Sequence, residues 1–467
     1  MTRIGLSFGL LLIAAIISCK KQPAGDKATQ TPSPRKPSGD ASSATAATPE
    51  ARARSFVALL DKGAWTDAEG QLGGKMRSLM PAAKLKATWT ALTAQVGAYK
   101  SVKSATSMPV KGHTVVRLTT DFARAQLIVQ VSVARTGTIS GLYFMPVEKA
   151  SPYKAPPYAK PGSYTEVAVT VGTGDWKLPG TLSLPKGVKA PPVLVLVHGS
   201  GPHDRDETIG PNKPFKDLAL GLVARGIAVL RYDKRTKAKG QAFQLKYAGI
   251  FTGNEVTVDD AVAAAKLLRR DGRVDPKRIF VLGHSLGGYF LPRIGKRAPH
   301  VAGLISMAGS TRPLEDLIVD QLQYISTLGG KRAEEVKKLI PKAQAAFKRV
   351  RDPKLSATTP AKDLPLGIPA PFWLDVRHYD PARLAGSLPQ PLLVLSGARD
   401  YQVTAKDFEG WKKGLAGRKK VTYKRYPRLN HLFMPGEGKP RPEEYGLAGH
   451  VDPVVIADIA EFVLGPK

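Results

Sequence analysis

Residues 278–288, Arg278-Ile279-Phe280-Val281-Leu282-Gly283-His284-Ser285-Leu286-Gly287-Gly288, are the stretch whose reading decides the fold. Ile279 to Leu282 form a short unbroken apolar run, the pattern of a parallel strand buried on both faces. Tyr289, Phe290, Leu291 and Ile294 then recur at helical spacing. Between them Gly283-His284-Ser285-Leu286-Gly287 fits G-x-S-x-G, so the stretch predicts strand, tight turn and helix. So sharp a turn strains the serine backbone and brings other backbone close, which calls for small residues at Gly283 and Gly287. It lifts the Ser285 hydroxyl above the sheet edge and aims the Leu286 N–H, at the helix start, toward any negative charge forming nearby. That arrangement suits a nucleophile, but the pattern is short and needs its context.

On both sides of this stretch apolar strands alternate with helices. Val193 to Val197 reads as a buried strand, Asp217 to Ala224 as a helix and Ile227 to Arg231 as a strand. Val258 to Leu268 is a helix leading to the serine strand, and Val301 to Met307 and Leu392 to Leu395 continue the series. The alternation predicts an α/β fold with a doubly wound, mostly parallel sheet and a site at the strands' C-terminal ends. Ahead of it, Thr165 to Val171 and Leu178 to Leu184 alternate around Gly172-Thr173-Gly174 as an antiparallel hairpin. Between Ser310 and Leu388 the alternation breaks. Leu314 to Leu328 and the lysine- and arginine-rich Ala333 to Val350 read as amphipathic helices, followed by a proline-rich crossing and the aromatic group Phe372, Trp373 and Tyr379. This insertion, at about 311–388, is expected to be a helical cap over the strand ends, with Trp373 packing it together.

Four motifs together resemble the α/β-hydrolase superfamily: His198-Gly199-Ser200-Gly201-Pro202 after a strand, Asn212-Lys213-Pro214-Phe215, Arg231-Tyr232-Asp233-Lys234-Arg235, and Gly283 to Gly288. Within it they are similar to a bacterial secreted carboxylesterase group that carries a small additional domain at its N-terminus. The resemblance covers about Tyr164 to the C-terminus apart from the insertion, and sets a hydrolase domain at 162–467. It implies that the loop His198 to Gly201 provides half of an oxyanion hole, through the Ser200 N–H with the Leu286 N–H as partner. Asp204, Asp206, Asn212 and Lys213 on the following loop read as residues that tie the loop down. Glu255 and Asp259, before a helix, read as complements to its dipole.

A serine hydroxyl is a weak nucleophile, so it needs an imidazole to take its proton and a carboxylate to hold that imidazole's tautomer. In this fold the chain order is Ser, then Asp or Glu, then His. Only His300, His378, His431 and His450 follow Ser285. Leu392 to Leu395 is a buried strand running into Ser396-Gly397-Ala398-Arg399-Asp400, where Gly397 to Val403 resembles the family's G-x-x-D-x-x-V stretch. Asp400 is thereby the expected orienter, with Asp375 and Asp380 as weaker alternatives. Val421 to Tyr426 is the last strand, and Asn430-His431-Leu432-Phe433 beyond it resembles the family's base-bearing loop. His431 is the expected base, His450 falls too late in the chain, and His284 is read as a supporting neighbour of the nucleophile.

Residues 51–148 read as a separate α+β unit. Phe56, Leu59 and Leu60, then Leu72, Met76, Leu79 and Met80, then Leu85, Trp89, Leu92 and Val96 show helical spacing. Val115 to Thr119, Ala125 to Val133 and Gly141 to Val147 read as antiparallel strands. The unit resembles an NTF2-like domain found ahead of hydrolase domains, and its His113 is expected to be a surface or packing residue. Lys149 to Pro161 reads as a linker.

The 467-residue chain has a formal charge of +32 and is 43% hydrophobic, ample for a large core. The charge is spread along the chain without aromatic-basic interleaving or a recognition module, which argues against nucleic acid as a partner. Arg3 precedes an apolar run from Ile4 to Ile17, too short for a comfortable membrane span and placed as a signal-peptide core. It ends in Ile16-Ile17-Ser18-Cys19, which resembles the lipobox of bacterial lipoproteins, and implies a leader at 1–19 with lipidation at Cys19. Cys19 is the only cysteine, so no internal disulfide can form. Residues 20–50, rich in Pro, Ser, Thr, Ala and charge, read as a disordered tether. The chain is thus expected to be exported, lipid-anchored to the cell envelope, and to hydrolyse small carboxylic esters without cofactor or metal. A serine peptidase or acyltransferase on the same residues, and a non-catalytic envelope binding protein, are the alternatives.

Overall fold

The computed structural model describes residues 48–110, 112–147, 153–247 and 249–465; the expected leader, Cys19 and the tether up to residue 47 lie outside the described residues. The described residues up to 147 form one compact unit and those from 153 onward another.

The first unit opens with helix Pro49–Lys62, where the Thr48 hydroxyl accepts the Ala51 N–H at 3.2 Å and Pro49 occupies the first turn, in which its missing N–H leaves nothing unpaired. The helix stops at Gly63, whose φ of 72° an L side chain rarely adopts. Its buried stripe of Ala53, Phe56, Val57 and Leu60 packs on a four-stranded antiparallel sheet of β1 (Tyr99–Val110), β2 (His113–Phe122), β3 (Gln126–Ala134) and β4 (Ile139–Pro146), paired in that order. Leu118 of β2 and Val129, Val131 and Val133 of β3 alternate inward as a one-sided sheet requires. Trp89, on helix Ala82–Val96, sits among the rings of Tyr99, Phe122 and Phe144 at centroid distances of 6.1, 5.8 and 6.0 Å. β1 was not expected: its Lys, Ser and Thr side chains show no apolar alternation, and it forms by pairing with β2 from Tyr99↔Phe122 to Val110↔His113 with two register irregularities. Ser140 holds the ring of His113 at 2.9 Å.

The second unit is organised on an eight-stranded sheet in the order β12-β11-β10-β9-β7-β8-β6-β5. Its strands are β5 (Tyr164–Val171), β6 (Leu178–Pro185), β7 (Val193–Val197), β8 (Ala228–Tyr232), β9 (Ile279–His284), β10 (Gly303–Met307), β11 (Leu392–Gly397) and β12 (Val421–Tyr426). The β5–β6 hairpin and its joint to β8 are antiparallel, and every other pairing is parallel. β7, β9, β10 and β11 are buried along their whole length, as strands covered on both faces are, and each buried Val or Leu contributes roughly 1.5–3 kcal/mol. Helix Leu286–Arg297 packs on β9 and β10, and helix Pro453–Leu464 packs on helix Pro214–Val223.

The insertion forms helices Leu314–Ser326, Gly330–Arg351, Ala370–Val376 and Pro381–Gly386. Leu322, Ile325 and Val336 share a small apolar cluster with Tyr401, Leu432, Met434 and Tyr445, so its first two helices rest on the loops that follow β11 and β12. Trp373 is fully buried, edge-on to Phe347 and Phe372 with centroids 5.7 Å away in each case, which is a packing role. From residue 153 the stretch read as a linker is pinned to this second unit: the Tyr153 hydroxyl donates to Asp217 at 2.6 Å and the Tyr158 hydroxyl to the Val451 carbonyl at 2.8 Å.

Candidate active site

Because β12, β11, β10, β9 and β7 are parallel neighbours, the loops leaving their C-terminal ends emerge along one edge of the sheet. Ser285 sits in the turn after β9 with φ 53° and ψ −114°, a left-handed conformation that an L residue keeps only where its surroundings impose it. Its N–H donates to the Met307 carbonyl at 2.9 Å. A Cβ on Gly283 would come within 2.2 Å of the Gly287 carbonyl oxygen, and one on Gly287 within 2.4 Å of the Val197 carbonyl oxygen. The two glycines therefore let strand, helix and β7 meet.

Asp400 follows β11 and is buried. One carboxylate oxygen accepts the N–H groups of Gln402 and Val403 at 2.8 and 3.0 Å, and the other lies 2.6 Å from Nδ1 of His431. The loop after β12 passes directly over the end of β11: a Cβ on Gly397 would meet the Leu429 carbonyl oxygen at 2.4 Å. Asn430 folds that loop back by accepting the N–H groups of Leu432 and Met434, with Phe433 at φ 57°. This crossing carries His431 toward the serine turn, where its ring centroid is 4.9 Å from that of His284. Nε2 of His284 donates to the His431 carbonyl at 3.0 Å.

On the other side of Ser285, β7 pairs with β9 so that Val197 faces Gly283, and the loop His198 to Gly201 follows at once. A Cβ on Gly199 would lie 3.1 Å from that of Ser285. The backbone N–H groups of Ser200 and Leu286 have no acceptor among the described residues, and the buried Ser200 hydroxyl has no partner among them either. The His203 ring donates to the Ser200 carbonyl at 2.6 Å, and His198 to the Asp204 carbonyl at 2.9 Å; burial holds His198 neutral, its pKa lowered to about 3.

The loop after this turn is tied down as expected. Asp204 accepts from the Asp206 and Thr208 N–H groups and the Thr208 hydroxyl, Asp206 is paired with Arg231 and Lys213, and Asn212 reaches the backbone of Tyr445, Leu447 and Gly449. Two residues of this region were not foreseen. Glu207, 1% exposed and at φ 52°, accepts the Gly199 N–H at 2.7 Å and places its other oxygen 2.9 Å from Nδ1 of His284, an ion-pair contact rather than an aligned hydrogen bond. Lys234, also buried, donates to the Gly199 carbonyl at 2.5 Å. Burial opposes the charge on Glu207, yet His284 outweighs it and holds the carboxyl at about 2. Burial likewise opposes a charge on His284, and Glu207 together with the His431 carbonyl raises its pKa nevertheless. Burial lowers Lys234 to about 8, against the pull of Glu207 and Asp260. No spacing rule separates Glu207 from Asp204 and Asp206 beside it; only the backbone turn that faces it inward does.

The remaining candidates take other partners. His450 pairs with Asp217, which also accepts from Tyr153 and the Val451 N–H. Asp375 holds Arg293 and the Gly253 N–H, Asp380 caps helix Pro381–Gly386, Glu255 accepts from Thr252, and Asp259 pairs with Arg297.

A sheet of this order, with a left-handed serine turn after β9 and an acid–imidazole pair brought in from β11 and β12, is the arrangement of a hydrolase. The chain belongs to the alpha/beta hydrolase family, whose model matches residues 194–445, and residues 53–142 match the model of a protein of unknown function, DUF3887. It is 37% identical to Esterase EstD of Thermotoga maritima over 410 residues, 88% of this chain and 94% of that protein. Among solved structures it is similar to Est1E from Butyrivibrio proteoclasticus (15% identity, TM-score 0.41, 64% of this chain and 97% of that one) and to an esterase of Pyrococcus furiosus (17% identity, TM-score 0.42, 67% and 98%).

Proposed function

We propose that the chain is a carboxylesterase that works through Ser285, His431 and Asp400 with an acyl-enzyme intermediate. The observation that carries this reading is the buried 2.6 Å contact between Asp400 and Nδ1 of His431, on the same sheet edge as the strained Ser285 turn. Similarity to EstD, an esterase, over most of both chains supports the substrate class.

With Asp400 on Nδ1, the His431 Nε2 is the base. It takes the Ser285 proton as Oγ adds to the ester carbonyl, and the resulting oxyanion faces the Ser200 and Leu286 N–H groups. Collapse breaks the C–O bond, and His431 returns the proton to the departing alkoxide, which leaves as an alcohol. Water, deprotonated by His431, then adds to the acyl-enzyme; collapse breaks the acyl C–Oγ bond, His431 returns the proton to Oγ, and the carboxylic acid leaves with the serine restored. On this account the protein turns over p-nitrophenyl acyl esters and leaves aminoacyl anilides essentially untouched, and Ser285→Ala loses the ester activity. Faster cleavage of the anilides would make it a peptidase instead.

We further propose that the chain is exported and held to a bacterial envelope membrane by acylation of Cys19, with the stretch from residue 20 as tether, ending at 47 and not at 50 because Thr48 caps helix Pro49–Lys62; the apolar run Ile4 to Ile17 ahead of Cys19 supports this. Radiolabelled palmitate should enter the wild type and not Cys19→Ala; equal incorporation would refute it. Helices laid against one antiparallel sheet support an NTF2-like reading of the first unit, which an experimental structure lacking a concave sheet face there would exclude.

A further inference from the structure

Several buried ionisable side chains that the ester mechanism leaves without a task converge behind the nucleophile, and Glu207 is their centre. Its carboxylate touches the loop after β7 through the Gly199 N–H at 2.7 Å, and the β9 turn through His284 at 2.9 Å. His284 in turn donates to the His431 carbonyl at 3.0 Å, so the loop after β12 joins the same set of contacts. The Gly199 carbonyl is held from the other side by Lys234 at 2.5 Å.

These contacts have a directional consequence. In a trans peptide the carbonyl of Gly199 and the N–H of Ser200 point opposite ways. Holding the one with Lys234 aims the other, while Glu207 fixes the peptide unit just before it. Glu207 also adopts a left-handed backbone at φ 52°, so a buried charge and a strained conformation coincide at one residue, a combination that persists only where the surroundings over-determine it.

We propose that Glu207 is a positioning residue of the esterase reaction, which with Lys234 sets the direction of the Ser200 N–H and through His284 holds the backbone of His431. The inference rests on the Ser285, His431 and Asp400 reading above. Glu207→Gln keeps an oxygen for the Gly199 N–H but removes the charge facing His284. Its kcat on a short p-nitrophenyl ester should fall about 10- to 100-fold, with KM within about twofold, since oxyanion donors act on the transition state and not on substrate binding. Glu207→Asp, which keeps the charge, should recover part of the loss. His284→Gln should lower kcat comparably, and the double variant should be no worse than about twofold below the weaker single one, because both act through one chain of contacts.

A kcat within about twofold of wild type in folded Glu207→Gln, a rise in KM alone, or losses that multiply in the double variant would overturn the inference. Should Glu207→Gln fail to fold, His284→Gln decides: a reduced kcat with unchanged KM supports the chain of contacts, and an unchanged kcat refutes it. Ser285→Ala is assayed alongside. Ester turnover surviving in that variant removes the underlying reading and this inference with it, whereas turnover lost there but intact in the Glu207 and His284 variants removes the inference alone.

Discussion

In the N-terminal unit, Thr120 is the buried polar side chain among the described residues, and its hydroxyl is satisfied by the Leu127 carbonyl at 2.8 Å. In the hydrolase unit His198, Glu207, Arg231, Lys234, Arg235, Asp260, His284, Asp400 and His431 are all buried. Burying polar and charged groups opposes folding unless each finds a partner. The first unit avoids that cost and is held by apolar packing around Phe56 and Trp89. The second accepts it, and several of these groups cluster on the sheet edge that carries Ser285. Where a fold tolerates dense buried charge, the tolerance marks the place where chemistry needs fixed dipoles.

Substitutions that remove one buried polar group from each setting break or sharpen this contrast. The largest effect belongs to Asp400→Asn, which should lower kcat by about 10⁴-fold by releasing the His431 tautomer while leaving the fold intact. A loss below about tenfold in steady-state ester assays would show that another acid orients the imidazole. Next comes Asp260→Asn. Asp260 receives three hydrogen bonds from the buried Arg235 guanidinium, the shortest at 2.5 Å, so its replacement leaves that cation without its counter-charge, facing the Trp176 ring and a neutral amide, and should destabilise the hydrolase unit by about 3 kcal/mol in denaturant unfolding. The smallest is Thr120→Val in the N-terminal unit. It removes one hydrogen bond and leaves the Leu127 carbonyl without this donor, for a loss of about 1 kcal/mol and an unchanged kcat. If Thr120→Val proved as costly as Asp260→Asn, the contrast between the two units would not hold.

The parts of the hydrolase unit that were legible in sequence are those where one physical demand dominates. Val193-Leu194-Val195-Leu196-Val197 could only be a strand covered on both faces, and it is buried throughout. Gly283 and Gly287 announced a turn in which a Cβ would strike backbone. Asp400 and His431 followed from chain order and from their positions after β11 and β12. What was not legible depends on partners distant in sequence. β1 takes its extended form from pairing with β2; its Tyr99, Val102 and Ala105 pack on the core, but they stand three apart among Ser, Thr and Lys and so show no strand alternation in the sequence. Glu207 and Asp206 are adjacent acids, yet one is buried against Gly199 and His284 while the other pairs with Arg231 and Lys213. Only the folded backbone assigns those roles.

The central claim, that Ser285 is the nucleophile, is tested most directly by treating the intact protein with a fluorophosphonate and mapping the adduct by mass spectrometry. The account predicts one adduct per chain, on Ser285, with loss of ester turnover, and no adduct on Ser285→Ala. An adduct of equal stoichiometry on Ser285→Ala, or wild-type adduct mapped to another residue, would contradict it.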